Sequence, residues 1–214
     1  IPANTLSGGY EVANSCRFEK ADDAYMYKSS SGGNRRTWTV SLWVKRSLLG
    51  VEQMFFGSDA SSAPYMCCQF SADDTLQFYD YSGSGFNFKF VTTQVFRDVS
   101  AWSHFVFKLD TEQGTEANRL KIYHNGTQIT SFSTETYPSE DADTSVNVSG
   151  DNFAVGSLYN GGNELSGYMS EFCLIDGSAL TPSSFGEFNE DTPTVFQPID
   201  VSGLTFGTNG FYLD

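Results

Sequence analysis

The sequence predicts an all-β sandwich. Apolar runs that alternate with polar residues recur along the chain, turn signals separate them, and no segment sustains the 3.6-residue period of a helix. The 214 residues, 39% hydrophobic and 15% aromatic, are enough for a sizeable core, and the length allows one large β-domain or two small ones.

Residues 1–15 are small and polar and read as an N-terminal arm. Cys16 to Met26 alternates loosely as a first strand, and the serines and glycines of 29–34 form a loop. Thr37 to Arg46 is the clearest strand, with Trp38, Val40, Leu42 and Val44 on one face and Thr39, Ser41, Trp43 and Lys45 on the other. A short apolar strand follows over Gln53 to Gly57. Tyr65 to Ser71 and Thr75 to Tyr81 are spaced as a hairpin around Ala72-Asp73-Asp74. Phe86, Phe88 and Phe90 alternate with Asn87 and Lys89 and are expected to share a face. In the central strand, Ala101 to Asp110, Phe105, Phe107 and Leu109 oppose Trp102, His104 and Val106. Arg119 to His124 and Thr127 to Phe132 flank Asn125-Gly126, the strongest short hairpin signal present. Residues 133–151 read as a long acidic surface loop with a minor strand near Val146 and Val148. Asn152 to Gly156 and Tyr168 to Ile175 are strands around a glycine-rich loop, and Phe172 and Leu174 oppose Glu171, Cys173 and Ile175. Ser178 to Pro182 forms a short helical turn that Phe185 to Phe188 completes. Residues 189–214 read as an extended linker and the start of a further β segment.

The run Asn152 to Leu180, with its Val155-Gly156-Ser157 element, the strand Gly167-Tyr168-Met169-Ser170-Glu171-Phe172-Cys173-Leu174-Ile175-Asp176 and the Ala179-Leu180-Thr181 step, resembles the last quarter of laminin G-like domains. Three more stretches match in order: Thr39 to Lys45, Trp102 to Phe107 and Leu120 to Gly126. The resemblance spans residues 16–188 and implies the two-sheet antiparallel jelly roll of the concanavalin A-like lectins and glucanases. That superfamily holds lectins, hydrolases, adhesion modules and inert domains, so it fixes no function. Leu204 to Asp214, after Phe196-Gln197-Pro198, resembles virion proteins of tailed bacteriophages. This second resemblance implies a tail fibre, spike or capsid decoration module at the particle surface. Its partners would be other virion proteins, its own copies (a trimer among the forms) and host-surface carbohydrate. With Ile1 at the start and an open strand at Phe211 to Asp214, the chain is expected to be a piece of a longer or processed protein.

A net charge of −14 argues against nucleic acid and anionic membrane as partners, since both need clustered Lys and Arg. No run of eighteen apolar residues is present to span a bilayer. Four cysteines, Cys16, Cys67, Cys68 and Cys173, make no metal-binding spacing. Cys16 and Cys173 sit near the first and last core strands, as a bridge or as plain buried thiols.

Candidate chemistry divides three ways. Hydrolysis needs two carboxylates on one face, and Glu171 and Asp176 are five residues apart, on opposite faces of a regular strand. Ser103-His104 are sequence neighbours that also face apart. No catalytic residue is therefore assigned, and a glycan hydrolase remains only an alternative. Calcium would need converging oxygen donors, for which Asp59, Asp80 and Asp151 near strand ends are the candidates, against solvated turn aspartates. A secreted, calcium-dependent lectin-like adhesion domain is the corresponding alternative, and in that setting Asn125 and Asn147 would be glycosylation sequons. Glycan binding needs aromatic faces and amide or backbone donors, and Tyr79, Tyr81, Trp43, Tyr159 and Asn160 are the candidates. The competing reading of each aromatic is core packing. The expectation is a non-enzymatic adhesion or assembly module.

Overall fold

The computed structural model describes residues 10–58, 63–158 and 161–214. In chain order its strands are β1 (Cys16–Phe18), β2 (Met26–Ser29), β3 (Thr37–Arg46), β4 (Gln53–Ser58), β5 (Tyr65–Phe70), β6 (Thr75–Tyr81), β7 (Phe86–Val95) and β8 (Ser103–Asp110). They continue with β9 (Leu120–His124), β10 (Thr127–Gln128), β11 (Phe132–Thr136), β12 (Asn152–Val155), β13 (Gly167–Asp176), β14 (Gly186–Phe188), β15 (Phe196–Pro198) and β16 (Phe211–Leu213). Two large antiparallel sheets form the expected jelly-roll sandwich. Sheet A runs β1-β13-β3-β8-β9-β10, and sheet B runs β11-β7-β6-β5-β4-β12-β2. β1 pairs with Gly167–Met169 and β16 with Phe172–Leu174, end to end along the edge of β13 that β3 leaves free.

The inward faces follow the period of two. Trp38, Val40, Leu42 and Val44 meet Phe105, Phe107 and Leu109 in one core cluster with Phe55, Phe56, Phe70, Phe78, Phe88 and Phe90 of sheet B. The rings pack edge to face, as between Phe56 and Phe107 at 5.2 Å. Each such side chain contributes about 1.5–3 kcal/mol by burial.

The strand pattern departs from the sequence reading at four places. Cys16 to Met26 is not one strand: β1 ends at Phe18 in sheet A, a 3-10 turn covers Lys20–Asp22, and β2 begins at Met26 in sheet B. Strand character after Asn125-Gly126 lasts only for β10, and the chain then crosses to sheet B as β11 on β7. Val146 is buried in the core but lies outside any strand. The helical turn near Ser178 is a 3-10 turn at Pro182–Ser184, and Gly186–Phe188 is a strand.

The stretch 189–214, read from composition as a linker, folds back onto the sandwich. Phe185 and Val201 pack on Val106, Cys173 and Ile175 in a second buried cluster, with Leu180, Leu204, Phe206 and Tyr212 beside it. The outer face of sheet A is thus closed by the chain itself.

All four cysteines are free thiols. Cys16 stands opposite Met169, four residues from Cys173, which is roughly 10 Å or more along the strand and too far for a bridge. No helix among the described residues is long and apolar enough to cross a membrane.

Candidate ligand-binding surface

The outer face of sheet B presents a strip of rings. In β5 and β6 the residues that alternate with the core positions Met66, Cys68 and Phe78 are Tyr65, Cys67, Tyr79 and Tyr81, and register places Tyr65 opposite Tyr81 and Cys67 opposite Tyr79. On β7 a bulge changes the count. Asp80 pairs with Phe88 and Tyr81 with Phe86, so Asn87 is the extra residue. A bulge re-aims the side chains beyond it. Phe86 therefore leaves the face of Phe88 and Phe90 and turns outward, 45% exposed. Its ring lies 5.3 Å from Tyr81 and 5.5 Å from Tyr79, while Tyr65 lies 5.6 Å from Tyr81. Lys89 Nζ is 4.4 Å from the centroid of Phe86. Tyr81 donates from its hydroxyl to the Gly83 carbonyl at 3.1 Å.

Asp80 holds this bulge. Its Oδ1 accepts from the Asn87 amide at 2.6 Å and its Oδ2 from the Ser145 N–H at 2.7 Å. Burial raises its pKa, against the lowering effect of those hydrogen bonds. Burial also pushes the Cys67 thiol up to about 11 and the Tyr79 hydroxyl up strongly, so both stay neutral at physiological pH.

The structure brings together Tyr79 and Tyr81 and separates them from the other glycan candidates. Trp43 points away from the inter-sheet core as expected, but it is only 5% exposed. Its ring lies 4.9 Å from His104 and stacks on Phe196 at 6.2 Å, beneath the C-terminal segment. Trp43 is therefore packing and is withdrawn from the ligand surface. Tyr159, Asn160 and Asp59 lie outside the described residues. Asp80 is committed to Asn87 and Ser145, and Asp151 accepts the Ser30 N–H on its carbonyl at the start of β12. Among the described residues no three His, Cys, Asp or Glu side chains cluster to hold a metal.

Tyr65, Phe86 and Lys89 were missed by sequence reasoning. Tyr65 could have been found by pairing the Tyr65–Ser71 and Thr75–Tyr81 hairpin residue by residue. Phe86 could not, because the extra residue at Asn87 carries no sequence mark of its own.

The carboxylates and histidines occupy separate networks. Glu171, at φ +51 in a bulge of β13, accepts from the Tyr10 hydroxyl at 3.3 Å. Asp176 accepts from the Asn34 N–H at 2.7 Å, the Asn147 amide at 3.0 Å and the Asn209 N–H at 3.0 Å. Ser41 Oγ and His104 Nε2 are 2.8 Å apart, and Ser103 Oγ and His124 Nε2 are 3.2 Å apart. Burial holds His104 down to about 3 and His124 to about 4, and neither ring is bonded to a carboxylate among the described residues. A base so weakened, with no acid to orient it, is poorly matched to neutral pH.

Two antiparallel sheets with one face closed by the chain and aromatic rings on the other define a lectin-type β-sandwich. Residues 20–184 match a laminin G-like family of the Concanavalin A-like lectin/glucanases superfamily, and the chain belongs to that family. No curated protein matches the sequence. The fold is similar to that of the native heptameric SAP-like pentraxin from Limulus polyphemus, at 16% identity over 73% of this chain and 71% of that one, TM-score 0.51. It is similar to domain 4 of AbnA, an extracellular arabinanase from Geobacillus stearothermophilus in complex with arabinotriose, at 18% identity over 74% of this chain and 69% of that one, TM-score 0.52. It also resembles tailspike protein 2 of Escherichia coli O157:H7 bacteriophage CAB120, at 12% identity over 81% of this chain and 24% of that one, TM-score 0.53. At these identities the likeness is one of fold.

Proposed function

We propose that this chain is a non-enzymatic glycan-binding module whose site is the ring strip of sheet B. Its setting in this reading is a virion structural protein of a tailed phage, a tail fibre, spike or decoration, where it adheres to host-surface carbohydrate or assists assembly. The carrying observation is the group Tyr65, Tyr79, Tyr81 and Phe86, the last turned outward by the bulge at Asn87. Rings fixed at the surface stack on the C–H faces of sugars, and Lys89 adds a donor for hydroxyl oxygens. Supporting the non-enzymatic reading, Glu171 and Asp176 are held by separate partners, and His104, buried, and His124, half-buried, are both weakened bases. Supporting the virion setting are the resemblance of Leu204 to Asp214 to phage proteins and the fold shared with a tailspike.

A glycan-array screen of the purified chain, with calcium and with chelator, tests the reading. Saturable binding that Tyr81→Ala removes is the expected result. Loss in chelator would add calcium and move the reading towards the secreted lectin-like class. Absence of binding in both conditions would overturn the glycan reading.

A further inference from the structure

A cleft of about 200 Å³ opens at the end of the sandwich where β3 and β7 stop and β8 begins. Two arginines line it, in a chain of net charge −14. Arg46, only 3% exposed, donates from Nη1 to the Phe96 carbonyl at 2.6 Å and from Nη2 to Asp74 Oδ1 at 2.9 Å. Arg97 donates from Nε to Asp74 Oδ2 at 2.9 Å and from Nη2 to the Asp73 carbonyl at 3.3 Å. One carboxylate thus orients two guanidinium groups. Asp98 lines the cleft as well, and the three basic side chains here, Arg46, Arg97 and Lys45, balance Asp73, Asp74 and Asp98, so the cleft is set apart by its unpaired donors and not by net charge. Asp98 Oδ1 accepts from the Ser100 N–H and hydroxyl, with Lys45 as its neighbouring cation. The Asp73 carboxylate is turned onto Ser71 and Thr75, and His124 is neutral.

Donors without partners accumulate here. Arg97 uses Nε and Nη2 in the bonds above, which leaves Nη1, and its side chain is 59% exposed. Arg46 Nε has no partner. Asn125 accepts the His104 N–H on Oδ1, which leaves its amide nitrogen. Trp102 lines the same cleft, its ring 6.5 Å from the exposed Tyr168. A guanidinium already fixed by a carboxylate loses little freedom when it meets an oxyanion, and its planar fork suits carboxylate and sulfate oxygens.

We propose that this cleft binds the anionic group of an acidic sugar residue, a carboxylate or a sulfate, through Arg97 and the Asn125 amide, with Trp102 against the sugar ring. The site shares no residue with the ring strip of sheet B and stands or falls apart from it.

Calorimetric titration with glucuronate, glucose 6-sulfate and uncharged glucose tests it. Glucuronate, the sulfate or both should bind saturably, and the pair distinguishes the two oxyanions. Glucose should bind at least about tenfold more weakly, and binding of the anion should weaken as salt rises. Arg97→Gln should lose about tenfold or more in affinity for the anion, with Arg97→Lys intermediate because it keeps charge and loses the fork. Tyr81→Ala should leave this binding unchanged. Thermal melts of the variants separate lost binding from lost fold, and Trp102→Ala gives a second route should Arg97→Gln unfold. Three outcomes would overturn the proposal: no binding by either anion, equal binding of glucose, or anion binding that Tyr81→Ala removes while Arg97→Gln and Trp102→Ala leave it intact.

Discussion

The outer faces of the two sheets begin alike and end differently. Each carries aromatic side chains on the alternation opposite the core: Trp43, Tyr123 and Tyr212 on sheet A, Tyr65, Tyr79 and Tyr81 on sheet B. On sheet A the C-terminal segment lies across them, so that Phe196 stacks on Trp43 and His104, and Phe185 and Val201 seat on Val106, Cys173 and Ile175. On sheet B the bulge at Asn87 adds one more ring to the surface instead of hiding one. An outward aromatic is therefore no sign of a ligand site until the rest of the chain has been placed. What separates the faces is which rings the protein uses for its own stability.

The comparison breaks most visibly at Trp43. Truncation to Ala in a closed aromatic stack should cost about 3–5 kcal/mol of unfolding free energy, since a large cavity opens between sheet and segment. Urea melts of Trp43→Ala measure this. A loss below about 1 kcal/mol would mean that the C-terminal segment does not hold sheet A closed.

Acid sharpens the same contrast. His104 lies on the closed face with Ser41, Trp43 and Phe196, and His124 lies half-buried at the edge of the core against Phe96 and Phe105. Both have folded pKa values depressed, to about 3 and about 4, below the unfolded value of 6.5. Between these limits the unfolded chain binds protons that the folded chain refuses, so stability is lost as pH falls below about 6.5. Each histidine contributes a slope approaching about 1.4 kcal/mol per pH unit. Asp80 and Glu171, whose pKa values are raised, act in the opposite sense above pH 4. Comparing wild type with His104→Phe removes their contribution. The variant's stability curve between pH 6 and pH 4.5 should be shallower by about one proton's slope. Parallel curves would show that His104 titrates on the closed face as it does in the unfolded chain.

Much of the fold could be read from the sequence because alternation is a local signal. Trp38, Val40, Leu42 and Val44, and Phe105, Phe107 and Leu109, were placed on the right face by counting in twos, and Asn125-Gly126 marked its own turn. The features that define the surfaces are not local. The bulge at Asn87 inserts a residue between Phe86 and Phe88 and reverses the face of one phenylalanine, and a regular count cannot reveal it. The bulge at Glu171 likewise breaks the register of β13 with β3. The C-terminal cover is invisible for a different reason. Phe196, Val201, Leu204 and Phe206 follow no strand or helix period, because each fits a gap on a surface that is itself built from β3, β8 and β13. The same count puts Tyr79 and Tyr81 on one face, as they are, but leaves Trp43 open between a ligand and packing, and only the C-terminal cover decides for packing.

The smallest stability effect should fall on Phe86, and it is the sharpest test of the difference between the faces. Its ring is nearly half exposed, touches Tyr79 and Tyr81 edge-on or tilted, and lies beyond the bulge that Asp80 and Asn87 hold without it. Phe86→Ala should therefore change the unfolding free energy by about 1 kcal/mol or less, a fraction of the Trp43→Ala effect. Glycan binding at the strip should nevertheless fall by about tenfold, since the half-exposed ring keeps part of its surface open to stack on a sugar. A loss near that of Trp43→Ala would make Phe86 a structural residue and the outer face of sheet B a second closed surface.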